Sequence, residues 1–396
     1  MIINREILKY LKNLSQQFPV VAIMGPRQSG KTTLAKIAFP DYAYVSLEEL
    51  DKRAAAADDP RGFLHAYAHQ KGLIIDEVQE VPELLSYMQG IVDQEYRPGF
   101  FILTGSQHFL MYEKITQTLA GRIALLTLLP LSLTELGSAG LLLPKLEDLL
   151  IKGCYPRPYV QPIDAHTWCA NYISTYVEKD VRQVLKITDV LAFQKFLKLC
   201  AARVGNIVNF AELARDADIS PHTAKEWISV LETSFIVKLL APHHNNYSKR
   251  VIKSPKLYFY DSALICMLLG IKTAEELAFH PIKGAIFESF VVSEMFKYSY
   301  NHGEIPSVYF WRDTQGHEVD CIIEKSYENL IPIEIKTGMT VKNDFFKGLN
   351  DWKQIAEQPD ITSYVVYGGD DFSIFKGTQI YSWRNIGQML QQIYER

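Results

Sequence analysis

The densest chemistry in this chain lies in eight consecutive residues. Gly25, Pro26, Arg27, Gln28, Ser29, Gly30, Lys31 and Thr32 match the spacing G-x-x-x-x-G-K-[ST]. Glycines in such a loop let the backbone point its N–H groups at phosphate oxygens, and the helix that follows adds positive potential at its start. Lys31 is then placed to reach the β- and γ-phosphates and the Thr32 hydroxyl to ligate Mg²⁺. Thr33, at the start of the helix, belongs to the same phosphate-binding set. The expected ligand is ATP with Mg²⁺. Further along stands the pair Asp76-Glu77. Asp76 is placed to hold Mg²⁺ through its water shell, and Glu77 to orient and polarise an attacking water. Thr104 or Ser106 is a candidate to hydrogen-bond the γ-phosphate or that water, against the plainer role of capping a turn. Arg122 is a candidate to stabilise developing γ-phosphate charge, in its own subunit or a neighbour's, against the plainer role of a solvated surface arginine.

A second constellation lies near the C-terminus. Glu334 and Lys336 form a Glu-x-Lys, with Asp320 upstream and Glu288 earlier still. This arrangement resembles that of PD-(D/E)xK nucleases, in which two carboxylates bind Mg²⁺, which activates water, and the lysine assists the attacking hydroxide. Glu288, Asp320 and Glu334 are therefore candidate metal ligands and Lys336 a candidate catalytic residue. Charge argues the other way. From Gly284 to Arg396 there are ten Lys or Arg against sixteen Asp or Glu, a poor balance for holding a polyanion.

The elements that must position these groups are legible. Pro19–Met24 is a continuous apolar run, as a buried parallel strand requires, and it feeds directly into the Gly25 loop and a helix over Thr33–Ala38. Gly72–Ile75 is a second such strand ending in Asp76, and Phe100–Thr104 a third. Acidic residues at the carboxyl ends of parallel strands sit where such sheets bind ligands. Nearer the C-terminus, Lys283–Lys297 has helical spacing, and Ser307–Trp311, Val319–Ile323 and Leu330–Lys336 have strand character. Alternation puts Ile331, Ile333 and Ile335 on one face, and Glu334 with Lys336 on the other.

Between the two constellations the pattern changes to short helices. Asn209–Arg215 reads as one helix. A second begins at Ser220 with Pro221 at its first position, a strong start signal. Ala224, Trp227, Ile228 and Leu231 form its apolar face, leaving His222, Thr223, Lys225 and Ser229 outside. This is a helix-turn-helix pattern, and the strands Phe235–Leu240 and Lys256–Tyr260 flank a wing. Lys195 to Tyr260 carries ten basic residues against five acidic ones. Lys249, Arg250, Lys253 and Lys256 cluster there with Tyr247 and Tyr258, so DNA contact through Lys249–Lys256 is expected, against a lid or docking role. His243 and His244 lack a nearby carboxylate or cysteine and are expected to be solvated loop residues.

As an ordered set, the motifs GPRQSGKTT (25–33), LIIDEVQ (73–79), FILTGSQ (101–107), LAGR (119–122) and LLPLSLTEL (128–136) resemble a known family. They are similar to those of bacterial and archaeal AAA-type ATPases that carry a C-terminal domain of unknown function with a nuclease-like fold. The resemblance continues through GCYPR (153–157), YVEKD (176–180) and KSPKLYFYD (253–261), nearly the whole chain. It implies an α/β multidomain architecture. A parallel-sheet P-loop NTPase domain of the AAA type is expected over 1–136 and a helical lid with a winged helix over 137–270. A restriction-endonuclease-like αβ domain is expected over 271–396.

Composition sets the remaining limits. The 396 residues suffice for two or three domains, and a net charge of −4 gives no global reason for a nucleic-acid partner. Five scattered cysteines form no CxxC pair, which points to buried thiols in a reducing compartment. No unbroken apolar stretch matches a signal peptide or a membrane span, so a cytoplasmic protein is expected. The functional expectation is a Mg²⁺-dependent ATPase acting as a switch or remodeller on nucleic acid, with metal-dependent cleavage by its C-terminal domain as a further step. It can also be a homo-oligomer. The alternative is an ATP-gated interaction module whose nuclease-like domain is inactive.

Overall fold

A computed structural model describes residues 2–105, 118–177, 189–243, 253–326 and 329–395. The chain divides into two compact units, the first made of Met1–Leu131 with Thr233–Phe235 and Tyr300–Glu304, the second of the rest.

In the first unit five strands form one parallel sheet: β1 (Val20–Met24), β2 (Ala43–Ser46), β3 (Leu73–Asp76), β4 (Phe101–Gly105) and β5 (Ile123–Thr127), in the order β2-β3-β4-β1-β5. Helices α1 (Leu8–Ser15), α2 (Lys31–Ala38), α3 (Leu50–Asp58), α4 (Pro60–His65) and α5 (Leu84–Gln94) cover it. The apolar runs are explained by burial on both faces. Val20, Ala22 and Met24 pack with Leu84, Leu85 and Met88 of α5, whereas Val21 and Ile23 pack with Leu34 and Ala35 of α2 and Leu11 of α1. The two faces of β1 thus belong to separate cores. The order places β4 between the loop-bearing β1 and the acidic β3, so Thr104 lies between the two halves of the site.

The second unit is helical in its first half and contains a mixed sheet in its second. The helices Phe210–Asp216 and Pro221–Thr233 start at Asn209 and Ser220, whose side chains accept the N–H groups of Glu212 and Thr223 at 3.2 and 3.0 Å. Trp227 on the latter stacks edge-on against Phe193 and Phe196. The two-stranded antiparallel sheet β6 (Val237–Leu240) and β7 (Lys256–Phe259) follows. Residues 244–252, which include Tyr247, Lys249 and Arg250, lie outside the described residues. A long helix, Lys283–Asn301, leads to β8 (Val308–Arg312), β9 (Glu318–Ser326), β10 (Asn329–Lys336), β11 (Ser363–Tyr367), β12 (Ser373–Phe375) and β13 (Thr378–Ser382). Their order is β12-β13-β11-β10-β9-β8, with β8, β9 and β10 antiparallel and β10, β11 and β13 parallel. Helix Lys347–Ile355 packs Leu349 and Trp352 onto this sheet beside Val319, Ile322 and Val365. Gly348 allows that approach, because a Cβ there would lie 2.3 Å from the Glu318 carbonyl oxygen.

All five cysteines are buried and free. Among the described residues no helix is long and apolar enough to cross a membrane.

Candidate functional site

The loop between β1 and α2 depends on backbone shapes that two glycines supply. Gly25 has φ +151°, and a Cβ there would sit 2.1 Å from the Leu128 carbonyl oxygen; Gly30 has φ +99° just before α2. Both conformations are ones that L side chains rarely adopt. Lys31 is buried, and its ammonium donates to the carbonyl oxygens of Pro26 at 2.9 Å and Gly25 at 3.1 Å. The cation is therefore held over the loop that would receive phosphate. The Ser29 hydroxyl is fully buried and has no hydrogen-bond partner among the described residues.

Asp76 is the hub of the site. Its carboxylate accepts the Thr32 hydroxyl at 3.0 Å on both oxygens, the Tyr44 phenol at 2.9 Å and the Thr104 hydroxyl. Asp76 and Thr104 are both buried. Thr32 and Asp76 offer hard oxygen donors side by side, which fits Mg²⁺. Glu77 follows immediately in a left-handed backbone conformation, φ +55°, and the Gln79 amide donates to its carboxylate. A non-glycine residue costs roughly 1–3 kcal/mol in such a conformation and is found where the surroundings hold it for a purpose. Lys31, Thr32, Asp76 and Thr104 are thus brought together, with Glu77 at the end of the same strand.

Arg122 is elsewhere. It precedes β5, and its carbonyl accepts the N–H of Val20, the first residue of β1, whereas the phosphate loop follows the last. A five-residue strand spans roughly 16 Å, so Arg122 stands at the opposite end of the strands, where its guanidinium pairs with Asp93. An action of Arg122 on its own chain's loop is not what this geometry offers. Ser106 lies outside the described residues.

Two contributors carry no local sequence signal. Arg5 donates to the Ser29 carbonyl at 2.8 Å and the Leu129 carbonyl at 2.7 Å, tying the phosphate loop to the segment after β5. Tyr44 reaches Asp76 from β2, beside β3, with Lys36 3.5 Å over its ring. Burial first, then the Asp76 carboxylate, pushes its phenol pKa well up, so it stays a donor.

The C-terminal constellation is assembled, but with cations already inside it. Asp320 accepts the Ile335 N–H at 2.8 Å, and Lys336 lies 2.5 Å from Glu334 and 3.8 Å from Asp320. Glu288 accepts the Tyr258 phenol at 2.5 Å and Lys256 at 3.1 Å, and Lys256 also pairs with Glu318. Burial, and next the charge of Asp320, pushes the Glu288 carboxyl up to about 7 and the Glu334 carboxyl up to about 8. Among the described residues no three His, Cys, Asp or Glu side chains are arranged to hold a metal ion. The expected metal set therefore does not fit a divalent cation as it stands, because lysines occupy the space between the carboxylates.

The basic-wing expectation is corrected at the same place. Lys256 is only 3% exposed and its charge is spent on Glu288 and Glu318, so it offers nothing to a DNA phosphate; Tyr258 is buried as well. Lys253 is exposed. His243 is not solvated either: it is buried, its backbone N–H donates to the Phe310 carbonyl at 2.7 Å, and its ring nitrogen Nε2 lies 3.6 Å from Glu324.

Comparison with known proteins adds the relationship. Two uncharacterized proteins, from Mycobacterium bovis and Mycobacterium tuberculosis, are each 30% identical to the chain over 329 residues, 82% of this chain and 71% of theirs. The chain belongs to their family. Within this family member, residues 17–137 match the family model of an AAA domain, which is the parallel-sheet unit that carries Lys31 and Asp76. Residues 143–275 and 283–386 match two domains of unknown function, DUF8612 and DUF4143. A Walker-type ATPase of Pyrococcus abyssi is 14% identical with a TM-score of 0.45, covering 67% of this chain and 96% of its own.

Proposed function

We propose that this AAA-type family member is a Mg²⁺-dependent ATPase that uses the nucleotide cycle as a switch. The observation that carries the reading is the convergence of Thr32 and Thr104 on buried Asp76, with the ammonium of Lys31, next to Thr32 in the chain, held at the phosphate loop. Thr32 and Asp76 would hold Mg²⁺, which when bound neutralises phosphate charge. Glu77 orients and polarises the attacking water, and Thr104, between the loop and Asp76, reports on the γ-phosphate. The loop N–H groups and Lys31 bind the phosphates. Arg122, remote from its own loop, fits a neighbouring copy's site once released from Asp93, so a homo-oligomer is part of the reading.

We further propose that the switch acts on nucleic acid. The support is the helix Pro221–Thr233, which buries Ala224, Trp227, Ile228 and Leu231 and leaves His222, Lys225 and Ser229 exposed. Exposed Lys253 adds a positive charge, and the sequence adds Lys249 and Arg250, which lie outside the described residues. The rival reading, an ATP-gated interaction module with an inactive nuclease-like domain, is favoured by the lysines inside the C-terminal carboxylate cluster. The ATPase rate with and without single- and double-stranded DNA, at several salt concentrations, separates the two. The proposal expects stimulation that fades with salt. Reversing charge at Lys249, Arg250 and Lys253 together should remove it and lower the salt slope of binding by roughly three. A rate indifferent to DNA at every salt concentration would leave the interaction module.

A further inference from the structure

A lysine in the interior needs an explanation, because burying an ammonium is costly unless it is paired. Lys256 and Tyr258 are two apart on β7 and so share a face, and both donate to the same oxygen of Glu288. The Lys256 ammonium also pairs with Glu318 on β9 and lies 5.5 Å from the Phe310 ring centre on β8. Glu318 in turn takes Arg312 at 3.1 Å. Asp320 and Glu334 complete the group, and one oxygen of Glu334, a residue only 5% exposed, has no hydrogen-bond partner among the described residues. Glu288, Glu318, Asp320 and Glu334 bring four carboxyl groups to one place, and Lys256 is the cation among them that comes from outside the sheet and its long helix.

We propose that Lys256 is a tethered counter-ion that fills the position a divalent cation would take between Glu288 and Glu318. The cluster therefore accepts no metal while the ammonium is present and becomes a site for a hard divalent ion, Mg²⁺ or Mn²⁺, when that charge is removed. The carboxylate donor set suits such ions. What excludes them is charge and space already used. The inference is independent of the nucleotide reading, since it concerns residues of the second unit alone.

The test uses the full chain carrying Lys31→Ala, without nucleotide, so that the phosphate loop supplies no metal effect. Melting is followed with and without Mn²⁺, and free Mn²⁺ is counted by its electron paramagnetic resonance signal. The parent chain should show no Mn²⁺-dependent shift and no bound Mn²⁺ from this cluster. Lys256→Met should melt lower in chelator, because its carboxylates lose their counter-ion, and Mn²⁺ should raise its melting temperature by roughly 5 °C. Adding Asp320→Asn should abolish that gain. Should Lys256→Met fail to fold, Lys256→Gln, which removes the charge but keeps a donor for Glu288, is measured in the same way. A metal shift in the parent that Asp320→Asn removes would overturn the proposal. So would a folded Lys256→Met chain, or a folded Lys256→Gln chain, that takes up no Mn²⁺.

Discussion

Lys31→Ala is expected to weaken ATP binding by at least about tenfold, and Glu77→Gln to keep it while lowering turnover by roughly 10²–10⁴-fold. The first change removes the ammonium held by Gly25 and Pro26 over the phosphate loop, and a hydrogen-bonded charge of this kind is worth roughly 1.5–3 kcal/mol. The second keeps shape but replaces a carboxylate by an amide, which cannot polarise a water, and positioned general-base groups contribute about that factor. Binding is read by titration calorimetry and turnover by phosphate release. Wild-type turnover in Glu77→Gln would show that another group orients the water. Since the Gln79 amide donates to Glu77, Gln79→Ala should lie between the two, with binding intact and turnover reduced.

Stability should fall as pH rises from about 5 to about 8. Buried Glu334 titrates at about 8 and Glu288 at about 7 in the folded chain, against an ordinary value of 4.5. The folded state thus holds protons that the unfolded state releases. The stabilisation is fully present below the unfolded value and is lost as pH rises through the folded ones. For Glu334 it amounts to roughly 3–5 kcal/mol, at about 1.4 kcal/mol per pH unit. His317, raised by Asp313, acts with the same sign, so the decisive quantity is a difference between variants. Glu334→Gln should flatten the melting-temperature profile between pH 5 and 8 and be at least as stable as wild type at pH 8.5. Parallel profiles would mean that Glu334 ionises normally in the fold.

The two constellations were legible because their signals are local. An apolar run feeding a glycine loop, a strand ending in Asp76, and a strand with alternating isoleucines around Glu334 each report their own geometry within ten residues. The contacts made by distant residues were not legible. Arg5 meets Ser29 and Leu129 across the fold, and nothing near it in sequence marks that. Tyr44 reaches Asp76 only because β2 pairs with β3. Lys256 sits in a run of basic residues that reads as a solvated wing, yet β7 turns it inward with Tyr258. His243 read as solvated for the same reason, since its carboxylate neighbour Glu324 is on another strand. Arg122 follows a turn in the sequence, but only the parallel pairing of β5 with β1 puts it at the end of the strands away from the loop. Charge sign and pattern are read from sequence; which charges cancel is decided by packing.

The central claim, that the loop around Lys31 and the carboxylate of Asp76 form one Mg²⁺-ATP site, is tested most directly by calorimetric titration of the wild-type chain with ATP, in Mg²⁺ and in chelator. One saturable site per chain is expected, tighter with Mg²⁺ than without, and that Mg²⁺ dependence should be lost in Asp76→Asn. No saturable binding at millimolar ATP, or binding with the same Mg²⁺ dependence in Asp76→Asn, would contradict it.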